Sequence, residues 1–247
     1  MIFGKIKYLM EKFNLIIIGL LIILFGCNQD NINKKKQETV KSKTDTLVHK
    51  NSDSISINEP TQEPADTLLT DIESFSDNFI FEIVYACENN FFQKKFYNCP
   101  KCYLRYEAIK ALIKSSNDFR KIGYKIKLFD CFRPFKVQEE MWKTLPDRRY
   151  VANPQTGGSI HNKGAAVDLT LTDLSGKNLD MGTEFDYFGP ESAHSYSNID
   201  TICIYNRRIL KEIMEKNGFK SLESEWWHYT YISKNKYKNA NKIFECN

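Results

Sequence analysis

The sequence has little net charge, few histidines and no repeat, and each shortage narrows what the chain can be. Across 247 residues the formal net charge is only +4, and the lysines are spread along the chain instead of forming one basic stripe. Phosphate recognition needs such a stripe, so no nucleic-acid partner is expected. No self-similarity of solenoid length is visible, which excludes a repeat array. The one long apolar run, Leu15 to Phe25, is shorter than the ~20 residues of a membrane-spanning helix. Cys99-Pro100-Lys101-Cys102 is a close-spaced pair with no second pair to follow it, so a structural zinc knuckle is not expected.

What is present describes an exported, tethered domain. Lys5, Lys7 and Lys12 precede the apolar run, and Gly26-Cys27 ends it. A basic segment, a short apolar segment and small residues before a cut are the parts of a secretory signal. Leu24-Phe25-Gly26-Cys27 resembles the lipobox of bacterial lipoproteins, although Phe25 is bulkier than usual there. The resemblance implies lipidation at Cys27 and a membrane surface as a partner. Residues 28–72 are expected to be a polar tether. From Asn28 to about Thr70 the chain is rich in Lys, Asn, Ser, Thr, Asp and Gln, with no aromatic residue. The folded domain is expected over 73–247. With 13 Tyr and 17 Phe in the chain, a packed core is expected there. Export also permits oxidation of Cys87, Cys99, Cys102, Cys131, Cys203 and Cys246. Disulfide staples are preferred over a redox pair, and spacing leaves their connectivity open.

The hydropathy pattern mixes helices and strands without regular βαβ alternation, so the expected class is α+β. Strands are predicted at Asn78 to Val84, Tyr124 to Phe132, Ala165 to Leu171 and Trp226 to Ile232. Helices are predicted at Tyr103 to Ile122, Val137 to Leu145 and Thr201 to Asn217. A long irregular stretch is expected from Asp173 to Tyr196.

Only four histidines occur, and two of them sit in chemically suggestive contexts. In Ser159-Ile160-His161-Asn162-Lys163-Gly164-Ala165-Ala166-Val167-Asp168, an imidazole and a carboxylate lead into a strand. A charge such as Asp168 among apolar neighbours is costly unless paired or bound to metal. Glu225-Trp226-Trp227-His228 offers a third ligand, with a carboxylate placed at the mouth of the last strand. Two His and one carboxylate on zinc leave a position for water, as catalytic sites require. Zinc brings the pKa of water down to roughly 7, and a nearby carboxylate can carry its proton to a leaving amine. Arg133, where Pro134 breaks a strand, can stabilise an oxyanion, although by itself it reads sooner as a plain surface arginine.

Together, Ser-x-His-x-x-Gly-x-Ala-x-Asp, the later Glu-x-x-His and the upstream Phe132-Arg133-Pro134 resemble the VanX-type D-alanyl-D-alanine dipeptidases. These are zinc D,D-peptidases that share a fold with the hedgehog signalling domain. The resemblance runs from about Phe79 to Ile232. It implies one zinc ion held by His161, Asp168 and His228, with Glu225 as catalytic base and Arg133 stabilising the transition state. It also implies that Ser159 helps hold the substrate and that the stretch Leu179 to Asp186 lines the pocket, with Asp186 receiving the substrate's ammonium. His194 is expected near the cleft but not as a ligand, and His49 belongs to the tether. Family members known from the cytoplasm act on the precursor pool, whereas an exported form fits recycling of cell-wall peptides. A D,D- or L,D-carboxypeptidase and a non-catalytic binding module are the competing expectations. Retention of Glu225 argues against the second.

Overall fold

The computed structural model describes residues 63–244 and Cys246. The expected signal segment with Cys27, and the tether as far as residue 62 with His49, lie outside the described residues. Among the described residues no helix is long and apolar enough to cross a membrane.

The fold is α+β. Its strands are β1 (Leu69–Asp71), β2 (Phe79–Phe81), β3 (Tyr103–Arg105), β4 (Tyr124–Asp130), β5 (Ala166–Asp173), β6 (Phe219–Leu222) and β7 (Glu225–Tyr231). The helices are α1 (Tyr106–Lys121), α2 (Phe135–Thr144) and α3 (Thr201–Lys216). Five strands form one sheet in the order β2-β4-β5-β7-β6, and β1 pairs with β3 in a separate ribbon. Only β2 and β4 run parallel; every other pairing is antiparallel.

Helical periodicity explains the packing. In α1, Ala108, Ile109, Leu112, Ser116 and Phe119 are buried at spacings of three and four, while Lys114, Asn117 and Lys121 are exposed. This face packs on β4, and α3 packs on β6 and against α1. Asp200 caps α3 by accepting the Ile202 N–H. Strand periodicity does the rest. On β5, Val167, Leu169 and Leu171 alternate with Asp168, Thr170 and Thr172, so polar side chains share one face. All six are buried, which explains why hydropathy alone shows an apolar run interrupted by a carboxylate.

Several expectations need correction. The fold starts before residue 73: β1 lies in the segment assigned to the tether, and Ile72 is fully buried. The predicted helix from Tyr103 opens with a strand, because β3 must pair with β1 before the chain can turn into α1. The predicted strand Asn78 to Val84 shortens to β2 and is followed by a single 3-10 turn at Val84–Ala86. The strand predicted to reach Phe132 ends at Asp130. Strand β6 was not predicted, since Phe219–Leu222 is too short to show alternation. Two disulfides form, Cys99–Cys246 and Cys102–Cys131, while Cys87 and Cys203 are free. Cys99 and Cys102 each bond elsewhere, so they are not a redox pair with each other.

Candidate metal centre

A reciprocal cap opens the site. Ser159 Oγ accepts the His161 N–H at 3.2 Å, and Asn162 Oδ1 accepts the Ser159 N–H at 2.7 Å. The cap fixes a 3-10 turn, Ile160–Lys163, that carries His161. Gly164 then turns the chain into β5 at φ +72°, and any side chain there would run into Leu69 Cδ2. Along β5, Asp168 is the register partner of His228 on β7, so the sheet itself places the carboxylate beside the second imidazole.

Three donor atoms converge. His161 Nε2 lies 3.2 Å from His228 Nδ1 and 3.3 Å from Asp168 Oδ2, and His228 Nδ1 lies 2.9 Å from Asp168 Oδ1. The far side of each ring is committed elsewhere. His161 Nδ1 donates to the Cys131 carbonyl at 2.7 Å, and His228 Nε2 faces Thr230 Oγ1 at 3.3 Å. With those protons placed outward, two imidazole lone pairs and a carboxylate point at one spot. Ligands held at ~2.0–2.1 Å in a tetrahedron stand about 3.3 Å apart, so the spacing fits zinc, as does the mixed donor set. Burial opposes charge on both His161 and Asp168, but their attraction prevails: Asp168 sits below the usual carboxylate range and His161 is raised.

These residues open onto a cleft of about 490 Å³ that also receives Arg133, Ser159, Asp186 and Glu225. Glu225 is the first residue of β7, directly after the Glu223-Ser224 turn. Regular alternation would put residues three apart on opposite faces. The register between β6 and β7 shifts between Ser221 and Leu222, and such an irregularity re-aims side chains; Glu225 lines the same cleft as His228. Burial, with Asp168 and Asp186 nearby, pushes its carboxyl up to about 7 despite the two histidines. Asp186 is also pushed up to about 7, chiefly by burial, while the Tyr85 hydroxyl donating at 2.7 Å works the other way. Its φ of 60° is a conformation that a non-glycine residue keeps only when its surroundings impose it.

Arg133 is not a surface arginine. Its Nε and Nη2 donate to Asp130 Oδ2 at 3.1 and 2.7 Å, and Nη1 donates to Gln138 Oε1 at 3.0 Å. Its guanidinium lies 5.1 Å from the centre of the Tyr85 ring. A guanidinium carries five N–H donors, more than Asp130 and Gln138 take up, and Arg133 also lines the cleft. Asp130 is itself fixed by the Tyr97 hydroxyl at 2.7 Å and the Cys131 N–H at 2.9 Å.

Two sequence expectations change here. His194 does not line the cleft; it packs near Tyr229, and burial lowers its pKa to about 4. Of the stretch Leu179 to Asp186, only Asp186 reaches this cleft; the rest lines a neighbouring one. The supporting residues Tyr85, Asp130, Gln138 and Asn162 were not assigned roles from sequence. Asn162, inside the histidine motif and fully buried, was the one open to discovery, since a capping box needs an amide or carboxylate at that place. Tyr85 sits in a single turn with no motif around it.

Comparison with known proteins identifies the family. Residues 66–246 match the peptidase M15 family, described as D-ala-D-ala dipeptidase. A D-alanyl-D-alanine dipeptidase of Escherichia coli K12 is 34% identical over 180 residues, covering 73% of this chain and 93% of that protein. One from Enterococcus faecium is 31% identical over 169 residues, covering 59% and 82%. The solved structure of the vancomycin resistance D,D-dipeptidase VanXYg, in complex with a D-Ala-D-Ala phosphinate analogue, aligns with TM-score 0.36 and 21% identity over 56% of this chain and 53% of that one. With nearly the whole described region matched to one family, the chain belongs to the M15 peptidases of the D-Ala-D-Ala dipeptidase type.

Proposed function

We propose that this chain is a zinc-dependent dipeptidase that hydrolyses D-alanyl-D-alanine. The observation that carries the reading is the convergence of His161 Nε2, Asp168 and His228 Nδ1 beside Glu225 and Arg133 in one cleft. His161, Asp168 and His228 would hold the zinc ion, and bound zinc supplies Lewis acidity that makes water reactive near neutral pH. Glu225, with a carboxyl near neutrality, takes a proton from the attacking water and returns it to the departing amine. The guanidinium of Arg133 offsets the negative charge that develops on the carbonyl oxygen. Asp186 pairs with the free ammonium of the dipeptide, and Ser159 at the cleft wall helps hold the other end.

A carboxypeptidase would have to pass the substrate's chain over Asp186. A buried carboxylate is better matched to a terminal ammonium than to a neutral amide, which favours the dipeptidase. Turnover of D-Ala-D-Ala is compared with its N-acetylated form. Loss of turnover on acetylation is expected, and a preference for the acetylated peptide would overturn the reading.

The same proposal places the enzyme outside the cytoplasm, tethered through a lipid on Cys27 and acting on peptides released from the cell wall. The basic and apolar segments before Cys27 support it, and so does the presence of two disulfides, which persist in oxidising compartments. Metabolic labelling with a fatty acid tests it: label in the wild type that disappears in Cys27→Ser is expected, and an unlabelled wild type rejects the anchor.

A further inference from the structure

We propose that the Cys102–Cys131 disulfide is a positioning element of the metal centre. It grounds the carbonyl that orients His161 and the strand end that carries Arg133, so that reduction weakens zinc binding and turnover while the domain stays folded. Only the turnover part rests on the dipeptidase reading above.

Strand β4 loses its support where the site begins. Its pairing with β5 shifts register between Leu128 and Asp130, and Asp130 opposite Asp168 is the last pair. Beyond it, Cys131, Phe132 and Arg133 follow no ladder. His161 Nδ1 donates to the Cys131 carbonyl at 2.7 Å, and the Arg133 N–H donates to the His161 carbonyl at 3.1 Å. These two bonds, with the Asn162 amide donating to the Arg133 carbonyl at 2.9 Å, tie the strand end to the histidine turn, whose far end Arg105 holds through the Gly164 and Lys163 carbonyls, each at 2.8 Å. The Cys131 N–H adds a bond to Asp130, the residue that fixes the Arg133 guanidinium.

Two direct links lead from Cys131 and Phe132 themselves to the β1–β3 ribbon. One is a single hydrogen bond from the Phe132 N–H to the Tyr103 carbonyl at 2.8 Å. The other is the disulfide, with Cα atoms 5.3 Å apart and both cysteines buried. Cys102 is well seated: it adjoins β3, and its carbonyl accepts the Ile72 N–H at 3.0 Å. The covalent link therefore carries the rigidity of that ribbon to the one acceptor that sets the His161 tautomer. Loss of such an outer partner typically costs 10–100-fold in metal affinity. The second disulfide is different in kind. Cys99–Cys246 secures the C-terminal segment, which meets the site at one remove, through the Ala240 N–H on the Asn162 carbonyl at 2.9 Å and the Phe244 ring against Phe132, and touches neither the Cys131 carbonyl nor a metal ligand.

The chemistry of the switch is simple. A dithiol reductant breaks the S–S bond, delivers two electrons and two protons to form the Cys102 and Cys131 thiols, and leaves as its cyclic disulfide.

The test titrates metal-free protein with zinc against a chromophoric chelator. The samples are oxidised wild type, dithiol-reduced wild type, Cys102→Ala/Cys131→Ala and Cys99→Ala/Cys246→Ala. Thermal unfolding verifies that each is folded. A 10–100-fold loss of zinc affinity is expected on reduction and in Cys102→Ala/Cys131→Ala, with kcat for D-Ala-D-Ala falling more than KM changes. Cys99→Ala/Cys246→Ala is expected to keep its zinc affinity until the dithiol is added, because the reagent then breaks only the Cys102–Cys131 bond. That arm decides the matter if Cys102→Ala/Cys131→Ala does not fold. Unchanged affinity after the Cys102–Cys131 bond is broken, or an equal loss from breaking either disulfide, overturns the proposal. If oxidised protein binds zinc but leaves D-Ala-D-Ala intact, the functional reading fails while the zinc titration still tests this one.

Discussion

Glu225 and Asp186 are two carboxylates raised by the same cause, burial, to about 7, so both make stability fall as pH rises, and Glu225 has a chemical consequence besides. A base titrating near the working pH combines availability with driving force. Glu225→Gln is expected to lower kcat by roughly 10²–10⁴-fold and leave one zinc per chain, measured by metal analysis beside a hydrolysis assay. For Asp186 the consequence includes stability. Its folded value lies above the ordinary 3.8, so between the two the folded protein holds a proton that the unfolded chain has released. Stability from this group is therefore greatest below the unfolded value, falls as pH rises, and is fully lost above about 7. Metal-free Asp186→Asn should show a shallower decline in denaturation midpoint between those limits than wild type, together with a raised KM for D-Ala-D-Ala. A wild-type slope unchanged by the substitution would remove Asp186 from this account. Arg133→Lys keeps the charge but loses the fork that grips Asp130 and Gln138 at once. A loss of roughly 10²–10³-fold in kcat is expected, by analogy with removal of an oxyanion donor.

At the scale of elements, the site depends on places where regular structure gives way. The β6–β7 shift brings Glu225 to the cleft, the end of β4 frees Arg133, and Gly164 swings the chain from the histidine turn into β5. Gly164→Ala forces a left-handed residue against Leu69, at a cost of about 1–3 kcal/mol in denaturant unfolding. The irregular stretch that carries Asp186 is held from outside by α3. Arg207 donates to the carbonyls of Met181, Glu191 and Ala193, and Asn206 donates to that of Asp180. Arg207→Met should loosen that stretch, raising KM for the dipeptide more than it lowers zinc affinity. Equal effects on both would mean that the clamp reaches the metal as well. Little of this was legible beforehand. Hydropathy located α1, α3, β4, β5 and β7 within a few residues, because each is long enough to show its period. The three-residue strands β1 and β3 and the short β6 could not be seen, since their existence depends on a partner elsewhere in the chain.

For the whole molecule, the Cys99–Cys246 bond closes a loop across 147 positions, nearly the full span of the fold. A cross-link of that kind is worth about 2–5 kcal/mol, mainly by restricting the unfolded chain. Cys99→Ala/Cys246→Ala is expected to unfold at a melting temperature lower by roughly 5–15 °C. The sequence by itself picked out four residues that the fold brings to one cleft, because His161, Asp168, Glu225 and His228 fall in two short motifs whose residue types are expensive to bury without a purpose. It also determined the α+β class, through the periods of its longer elements. Only the tertiary structure decided which cysteines join, that Arg133 is gripped by Asp130 and Gln138, that Tyr85 meets Asp186 and that His194 stays out of the cleft. Each of those is a contact between segments far apart in the chain or a consequence of where the strand ladder stops. Local composition carries no record of either.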